Sequence, residues 1–428
     1  MYGVVPACAC MCPVRRRANN LLDTDEVATD SLECDWKWAL ENKIDQFIAK
    51  ADGRGKTDPT GEAGTEAVAR VKETLREHYA MILGIYDYYA SLNADGDVFT
   101  IGMNEFNAFL NECELPIPGS LDCNKQHLEQ LFVAIDSGQK AKEKFNSKHA
   151  LSRQEFLQFL VRAAVSRYCK PRKKGEEPIH TDVSAALREL LLNQMKPNVD
   201  PAALQNSNEF RQKFLYVQET DALLAQHEST LQALYDVYSD EQHATSDLTS
   251  ISGMLGITQW LNMCDHLQLV DEEFTIREMT SCFMWARMRV ADETNIVERR
   301  KMCNLKFVDF LEALCRMATM KTMPTDDEVE AAGCADGGEM LLKMVPSERR
   351  NFVVQRPQNW DSEPRQPIWR CLFHLISLIT RSVEGVVTVK VKGVDPTVKA
   401  DLRLTRAEVK TFKKLGGLAG AEQSSPGP

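Results

Sequence analysis

The chain has 428 residues, 43% of them apolar and 26% charged, with a net charge of −11. That is enough apolar side chain for more than one core, and too acidic for a generic nucleic-acid binder, whose surface must displace counterions from phosphate. No stretch supplies the roughly 18 apolar residues of a membrane span, and the thirteen cysteines form no C-x-x-C pair, so they read as reduced thiols of a cytoplasmic protein.

Residues 1–33 lack periodicity and are expected to form a disordered leader. Its "CACMCPVRRR" sets acylatable cysteines beside Arg15, Arg16 and Arg17, the two signals that stable lipid anchoring takes; a leader without that role is the simpler reading. Within residues 34–65, "WALENKIDQFI" predicts an amphipathic helix with Leu40, Ile44, Phe47 and Ile48 on one face, followed by a polar, Gly-rich linker. Residues 171–212 form a charged linker and the helix "DVSAALRELLLNQM", stopped at Pro197. Residues 323–367 read as an acidic, then extended, linker in which the prolines of "RPQNWDSEPRQP" exclude regular helix. Residues 368–428 comprise the apolar helix "IWRCLFHLISLITRSV", a short alternating strand "VVTVKVKGV", and "TRAEVKTFKKL", which opens with the capping-box pair Thr405 and Glu408.

Between these segments, residues 66–170 and 213–322 repeat each other. "LREHYAMILGIYDYYA" at 75–90 matches "LAQHESTLQALYDVYS" at 224–239, which aligns His78 with His227 and Tyr86 with Tyr235. "MNEFNAFLNECEL" at 103–115 matches "ITQWLNMCDHLQL" at 257–269, and places Phe106 on Trp260. Phe132 pairs with Phe283, Phe156 with Phe307 and Phe159 with Phe310. Each copy reads as four helical segments with two interruptions. A helix–loop–helix taken twice is the plan of a paired EF-hand lobe. The expected fold is therefore mainly α, with two tandem EF-hand-like lobes, an amphipathic N-terminal helix and a small mixed C-terminal tail.

The stretch "NADGDVFTIGMNEF" occupies the position of the first calcium loop, and calcium is the one cofactor the sequence suggests. Asn93, Asp95, Asp97 and Glu105 are the candidate ligands. A twelve-residue loop requires oxygens at alternate positions, glycine at position 6 and glutamate at position 12. Counted from Asn93, position 6 is Val98, position 12 is Asn104, and Glu105 comes one residue late. Elsewhere the pattern is weaker. Eighteen residues separate Asp136 from Glu155, and the second copy has Gln259 and Lys306 where the first has Glu105 and Glu155.

Phosphate-loop, dinucleotide, zinc-protease and nucleophile-elbow signatures are absent from the sequence, and an enzyme is not expected. His78 and His227 read as packing or capping residues. Nine of the sixteen methionines lie between Met254 and Met323, and adaptable methionines suit either an irregular core or a groove for a partner helix. The groove reading names Met279, Phe283, Met284, Met288 and Met317. It has a variant in which one of the chain's own amphipathic helices fills the groove. From Val386 onward, eight Lys or Arg face four Asp or Glu, a basic balance suited to acidic partners such as tubulin C-termini.

The phrases "YDYY", "MNEFNAFL", "LSRQEFLQFLVRAAVSRY", "FMWARMRVADE" and "FVDFLEALCRMAT" run across about residues 36–385. In them the chain resembles divergent EF-hand-like proteins of flagellated protists that associate with the ciliary axoneme. The resemblance implies a non-enzymatic scaffold or adaptor in the cytoskeleton of the cilium or flagellum, with tubulin or axonemal subunits as protein partners, no nucleic acid and no membrane span. The alternative expectation is a calcium-responsive sensor that binds the ion weakly through its first lobe.

Overall fold

The computed structural model describes residues 23–53, 61–93, 97–137, 149–171, 175–240, 251–389 and 402–419. The cysteine-rich leader up to residue 22, Asp95, and the second half of "VVTVKVKGV" lie outside them. The chain is mainly helical and divides into two compact units. The first unit is Thr24–Asn206 together with Arg289–Arg299; the second takes residue 23, residues 207–288 and residues 300–419.

In the first unit, α1 (Asp25–Glu41) starts where Thr24 Oγ1 accepts the Val27 amide, with Asp25 and Glu26 in its first turn. These are favourable N-terminal features, and they make residues 25–33 helical where a leader was expected. The expected single helix over 38–48 is interrupted at Lys43, which adopts the left-handed conformation at φ 60° before α2 (Ile44–Ala51). That break turns Leu40 outward while Ile44 and Ile48 are fully buried and Phe47 is partly covered. The 30-residue α3 (Glu62–Ser91) packs against both helices and buries Val71, Leu75, Tyr79 and Ile82. Then follow β1 (Ile101–Gly102), α4 (Met103–Glu112), α5 (Lys125–Asp136), β2 (Ala150–Leu151) and α6 (Arg153–Tyr168). Helix α7 (Val183–Glu189) widens into a π turn over Leu190–Met195 ahead of Pro197.

The second unit opens with α8 (Ser207–Phe210), which also runs into a π turn, Arg211–Leu215. Next come α9 (Gln218–Gln226), α10 (Glu228–Ser239), β3 (Leu255–Gly256), α11 (Ile257–His266) and α12 (Ile276–Ala286). Helix α13 (Ile296–Met302) straddles the boundary between the units, and β4 (Asn304–Leu305) leads into α14 (Phe307–Met320). The expected linker 323–367 contains three short helices, α15 (Asp326–Ala331), α16 (Gly337–Lys343) and α17 (Pro346–Val354). Local capping accounts for them: Thr325 pairs with Glu328, Asp336 accepts from the Glu339 amide, and proline occupies the first turn of α17. Helix α18 (Ile368–Val387) absorbs Val386 and Val387, which alternation had assigned to a strand. Both are buried against the unit, and burial outweighs a weak two-residue pattern. Thr405 and Glu408 cap α19 (Arg406–Lys414) as the sequence indicates.

The two copies share internal geometry residue by residue. Ile101 faces Leu151 in one ladder and Leu255 faces Leu305 in the other. The Tyr86 hydroxyl lies 2.8 Å from the Phe99 carbonyl and 3.4 Å from that of Leu151; Tyr235 stands 3.1 Å from Gly253 O and 3.0 Å from Leu305 O. After the second helix of each copy, Glu114 and Gln268 both take φ 48°, so the next amide closes back five residues, Leu115 to Leu110 and Leu269 to Cys264. A cation from the end of the last helix then donates to the carbonyl of that same residue: Arg167 to Leu115 O, Lys321 to Leu269 O. The copies differ at the histidines. His78 lies within the continuous α3, whereas His227 marks the boundary between α9 and α10.

The docked position of α2 makes Ile48 a test of the first unit. Ile48→Asp exchanges a buried side chain for a charge and is expected to cost about 3–5 kcal/mol. Leu40→Asp, at a position 40% exposed, should stay within about 0.5 kcal/mol in the same urea titration.

Candidate functional site

Where the loop between α3 and β1 is described, its side chains bond its own backbone. Asn93 Nδ2 donates to the Asp97 carbonyl at 3.1 Å. The Asp97 carboxylate accepts from the Phe99 amide at 3.3 Å and from Thr100 Oγ1 at 2.8 Å, an Asx-type turn that occupies its oxygens. Glu105, in the first turn of α4, folds back so that its Oε2 would stand 2.6 Å from a Cβ placed on Gly102. Gln259 does the same at Gly256, with its Oε1 at 2.7 Å. The fold-back therefore works with a neutral amide as well as with a carboxylate. In the other loops, Glu155 is fully buried and accepts from the Ser152 amide and hydroxyl, and Lys306 sits exposed at the start of α14. Among the described residues no group of three or more His, Cys, Asp or Glu is arranged to hold a metal ion. Asp95 lies outside them.

The groove expected from the methionines is not open in this structure. Met279, Phe283, Met284 and Met317 are buried, and Met288 is partly covered. Helices α12 and α14 pack on each other, and α18 lies along α14 with Leu372, Leu375, Ile376 and Ile379 buried. These methionines line a core completed by a helix of the same chain, an irregular interior that their flexible side chains suit. The basic tail is likewise engaged: Arg406 pairs with Asp236 and Asp240, and Lys413 Nζ donates to Val237 O and stands 4.6 Å from the Tyr238 ring centroid.

The strongest electrostatic features were not visible in the sequence. In the first unit, Arg153 is 4% exposed. Its Nε and Nη2 clamp Asp35 at 2.8 and 3.0 Å, its Nη1 reaches Glu293 at 2.8 Å, and the remaining donors meet the carbonyls of Val290 and Ala291. Tyr79 donates to the same Asp35 carboxylate. In the second unit, Glu312 is fully buried between Arg211 and Arg316. Arg211 Nε lies 2.9 Å from Glu312 Oε2 and Arg316 Nη2 lies 2.8 Å from Oε1. Burial depresses the pKa of Arg316, with Glu312 opposing, while its guanidinium stacks 4.1 Å from the Phe210 ring.

A third cluster joins α15, α16 and α18. The Gly337 amide donates to His374 Nδ1 at 3.0 Å, which leaves the proton on Nε2, 3.0 Å from Asp326 Oδ1. Gly338 touches α18 so closely that a Cβ there would meet the Leu378 nitrogen at 2.4 Å. Asp336 caps α16 and pairs with Arg381, whose interaction holds its carboxyl below the usual range against the effect of burial. The imidazole pKa is depressed, first by burial, with Asp326 acting in the opposite sense.

No family model, curated protein or solved structure matches this chain.

Two predictions follow from the buried charges. Glu312→Gln removes the carboxylate that Arg211 and Arg316 share, leaves Arg316 buried without an anion, and should destabilise the second unit by about 3–5 kcal/mol, measured by chemical denaturation. For His374, the folded-state pKa lies below the ordinary 6.5, so the unfolded chain binds the extra proton first. The stability it contributes is present above pH 6.5 and is lost as pH falls through the depressed folded value. The melting temperature should drop between pH 7 and 5, and His374→Gln should flatten that slope.

Proposed function

We propose that the two units are degenerate EF-hand-like lobes that work as a calcium-independent, non-enzymatic scaffold or adaptor in the ciliary axoneme. The observation that carries the reading is the shared latch. In both copies a tyrosine hydroxyl lies within reach of carbonyls at or beside the two ladder strands, and its ring packs on the first phenylalanine of the last helix, Tyr86 on Phe156 at 5.8 Å and Tyr235 on Phe307 at 5.5 Å. Paired loops joined by a short antiparallel ladder, with helices leading in and out, fit the EF-hand plan. The latch holds the loops together by neutral hydrogen bonds and aromatic packing, which is work a bound ion would otherwise share.

A scaffold also needs lobes that keep one shape. Helices α1 and α2 cover the first lobe, and α18 covers the second, each within its own unit. Sensor lobes act by opening an apolar groove when the ion binds; here the apolar faces are already filled. The exposed cations Arg403, Lys410 and Lys414 of the tail leave charged contacts to tubulin or other axonemal subunits as the mode of association.

Calcium separates this reading from the sensor. At about 10 mM, ten times the weakest constants of such loops, a working site would add about 1.4 kcal/mol to stability. The full chain is expected to give no binding heat in calorimetry and no rise in melting temperature under those conditions. Heat abolished by Asp97→Ala would establish the sensor instead.

A further inference from the structure

In the first unit, a half-open cavity of about 340 Å³ lies between the α1–α2 break, α5 and α6. Its walls are Glu41, Asn42 and Lys43 from the break, Leu131, Ala134 and Ile135 from α5, and Gln158 and Arg162 from α6. Gln158 and Arg162 are four residues apart, so the helical repeat sets them on one face. Gln158 is 3% exposed, and its Nε2 has no acceptor. Arg162 Nε is buried without a partner, and the guanidinium stacks 4.7 Å from the Phe47 ring centroid. Burial lowers the pKa of Arg162 with no carboxylate acting to restore it. Arg153, Arg211 and Arg316, which are buried more deeply, each have a glutamate or aspartate at hydrogen-bond distance.

Buried donors are satisfied in folded proteins with few exceptions, and a guanidinium fork matches a carboxylate geometrically. The charges on the wall, Lys43 and Arg162 against Glu41, favour an anion. Beside them Leu131, Ala134 and Ile135 offer an apolar shelf, and the volume lies at the small end of ligand pockets. We propose that this cavity binds a carboxylate carried on an apolar group about the size of one residue, with Arg162 and Gln158 as its donors. An apolar C-terminal residue of a peptide and a small free carboxylic acid share that chemistry.

The test uses the full chain and a fluorescent pentapeptide ending in leucine, as the free acid and as the amide. Anisotropy should show the acid binding at least about tenfold more tightly. Arg162→Met should abolish the difference, and because the arginine has no ion pair to lose, its melting temperature should be unchanged or higher. Gln158→Leu, a second variant, should weaken the acid and leave the amide unaffected. N-acetyl-leucine distinguishes the two sources: displacement of the peptide assigns the site to free acids, and failure to displace it assigns the site to a chain terminus. Equal binding of acid and amide, or binding of neither, overturns the proposal. So does a melting temperature of Arg162→Met several degrees below that of the parent chain, which would make Arg162 a structural residue.

Discussion

Arg153 gives its N–H groups to five acceptors: both oxygens of Asp35, one of Glu293, and two carbonyls of the segment 289–299. It is the first residue of α6, Asp35 lies mid-way along α1, and Glu293 belongs to a stretch far along the chain, so one side chain ties three separate segments of the first unit. Taking a guanidinium and two carboxylates out of water costs several kcal/mol per ion, and the attraction recovers that only when every donor has a place. Because the geometry is complete, the alternatives are poor. Shifting α1 by one turn, or letting 289–299 leave, would strand buried charge. The node therefore specifies the arrangement more than it adds net stability, and the apolar contacts of Leu32, Trp36 and Ile48 supply the driving force around it.

The second unit solves the same problem with a different set of groups. Glu312 on α14 is shared by Arg211, from the π turn that follows α8, and by Arg316 one turn further along its own helix; Asp23 meets the outer side of Arg211 at 2.9 Å. A wider π turn reorients the side chains that follow it, which is a common reason for keeping such a bulge. Here it lies at the residue that must reach the buried glutamate. Neither node has a counterpart at the aligned position of the other copy: Arg153 aligns with Asn304, and Glu312 with Val161. The duplicated parts are the tyrosine latch and the aromatic core. The charged nodes are particular to each unit, and each sits where segments outside that unit's own copy of the repeat join it.

That difference explains how much the sequence disclosed. Helices, their apolar faces and the repeat were legible because they rest on spacing within a few residues, as with Tyr86, Phe106, Phe156 and Phe159, all of which reach the core. The capping pair Thr405 and Glu408 was legible for the same reason. Arg153 was not, since its partners lie 118 and 140 residues away. The turn at Lys43 carries no glycine or proline to announce it, so one helix was expected where two exist. Methionine spacing described a buried face correctly but could not reveal what covers it, because α18 arrives some fifty residues after α14. The candidate ligands failed on a local count, and Asp97 proved to be committed to the backbone of its own loop. The Arg162 cavity had no sequence signal at all, because an arginine on a helix face ordinarily extends to water.

The two copies also show which constraints a loop of this kind keeps when its charges change. At the fold-back position a glutamate in one copy stands as a glutamine in the other, and the oxygen occupies the same place over a glycine. At the start of the last helix Glu155 and Lys306 differ in sign, yet both helices begin after a two-residue strand in the same register. Tyrosine, by contrast, is present in both, and so is the phenylalanine it packs against. A hydroxyl that must reach two carbonyls has no substitute among the apolar residues, and phenylalanine there would leave two buried acceptors poorly paired at about 1–3 kcal/mol. Side chains that hold the ladder are thus constrained by geometry, whereas the acidic positions are free to drift once other groups close the loop. With the ladder fastened in that way, the charged positions beside it serve other ends: Glu155 caps the start of α6, and Lys306 faces solvent.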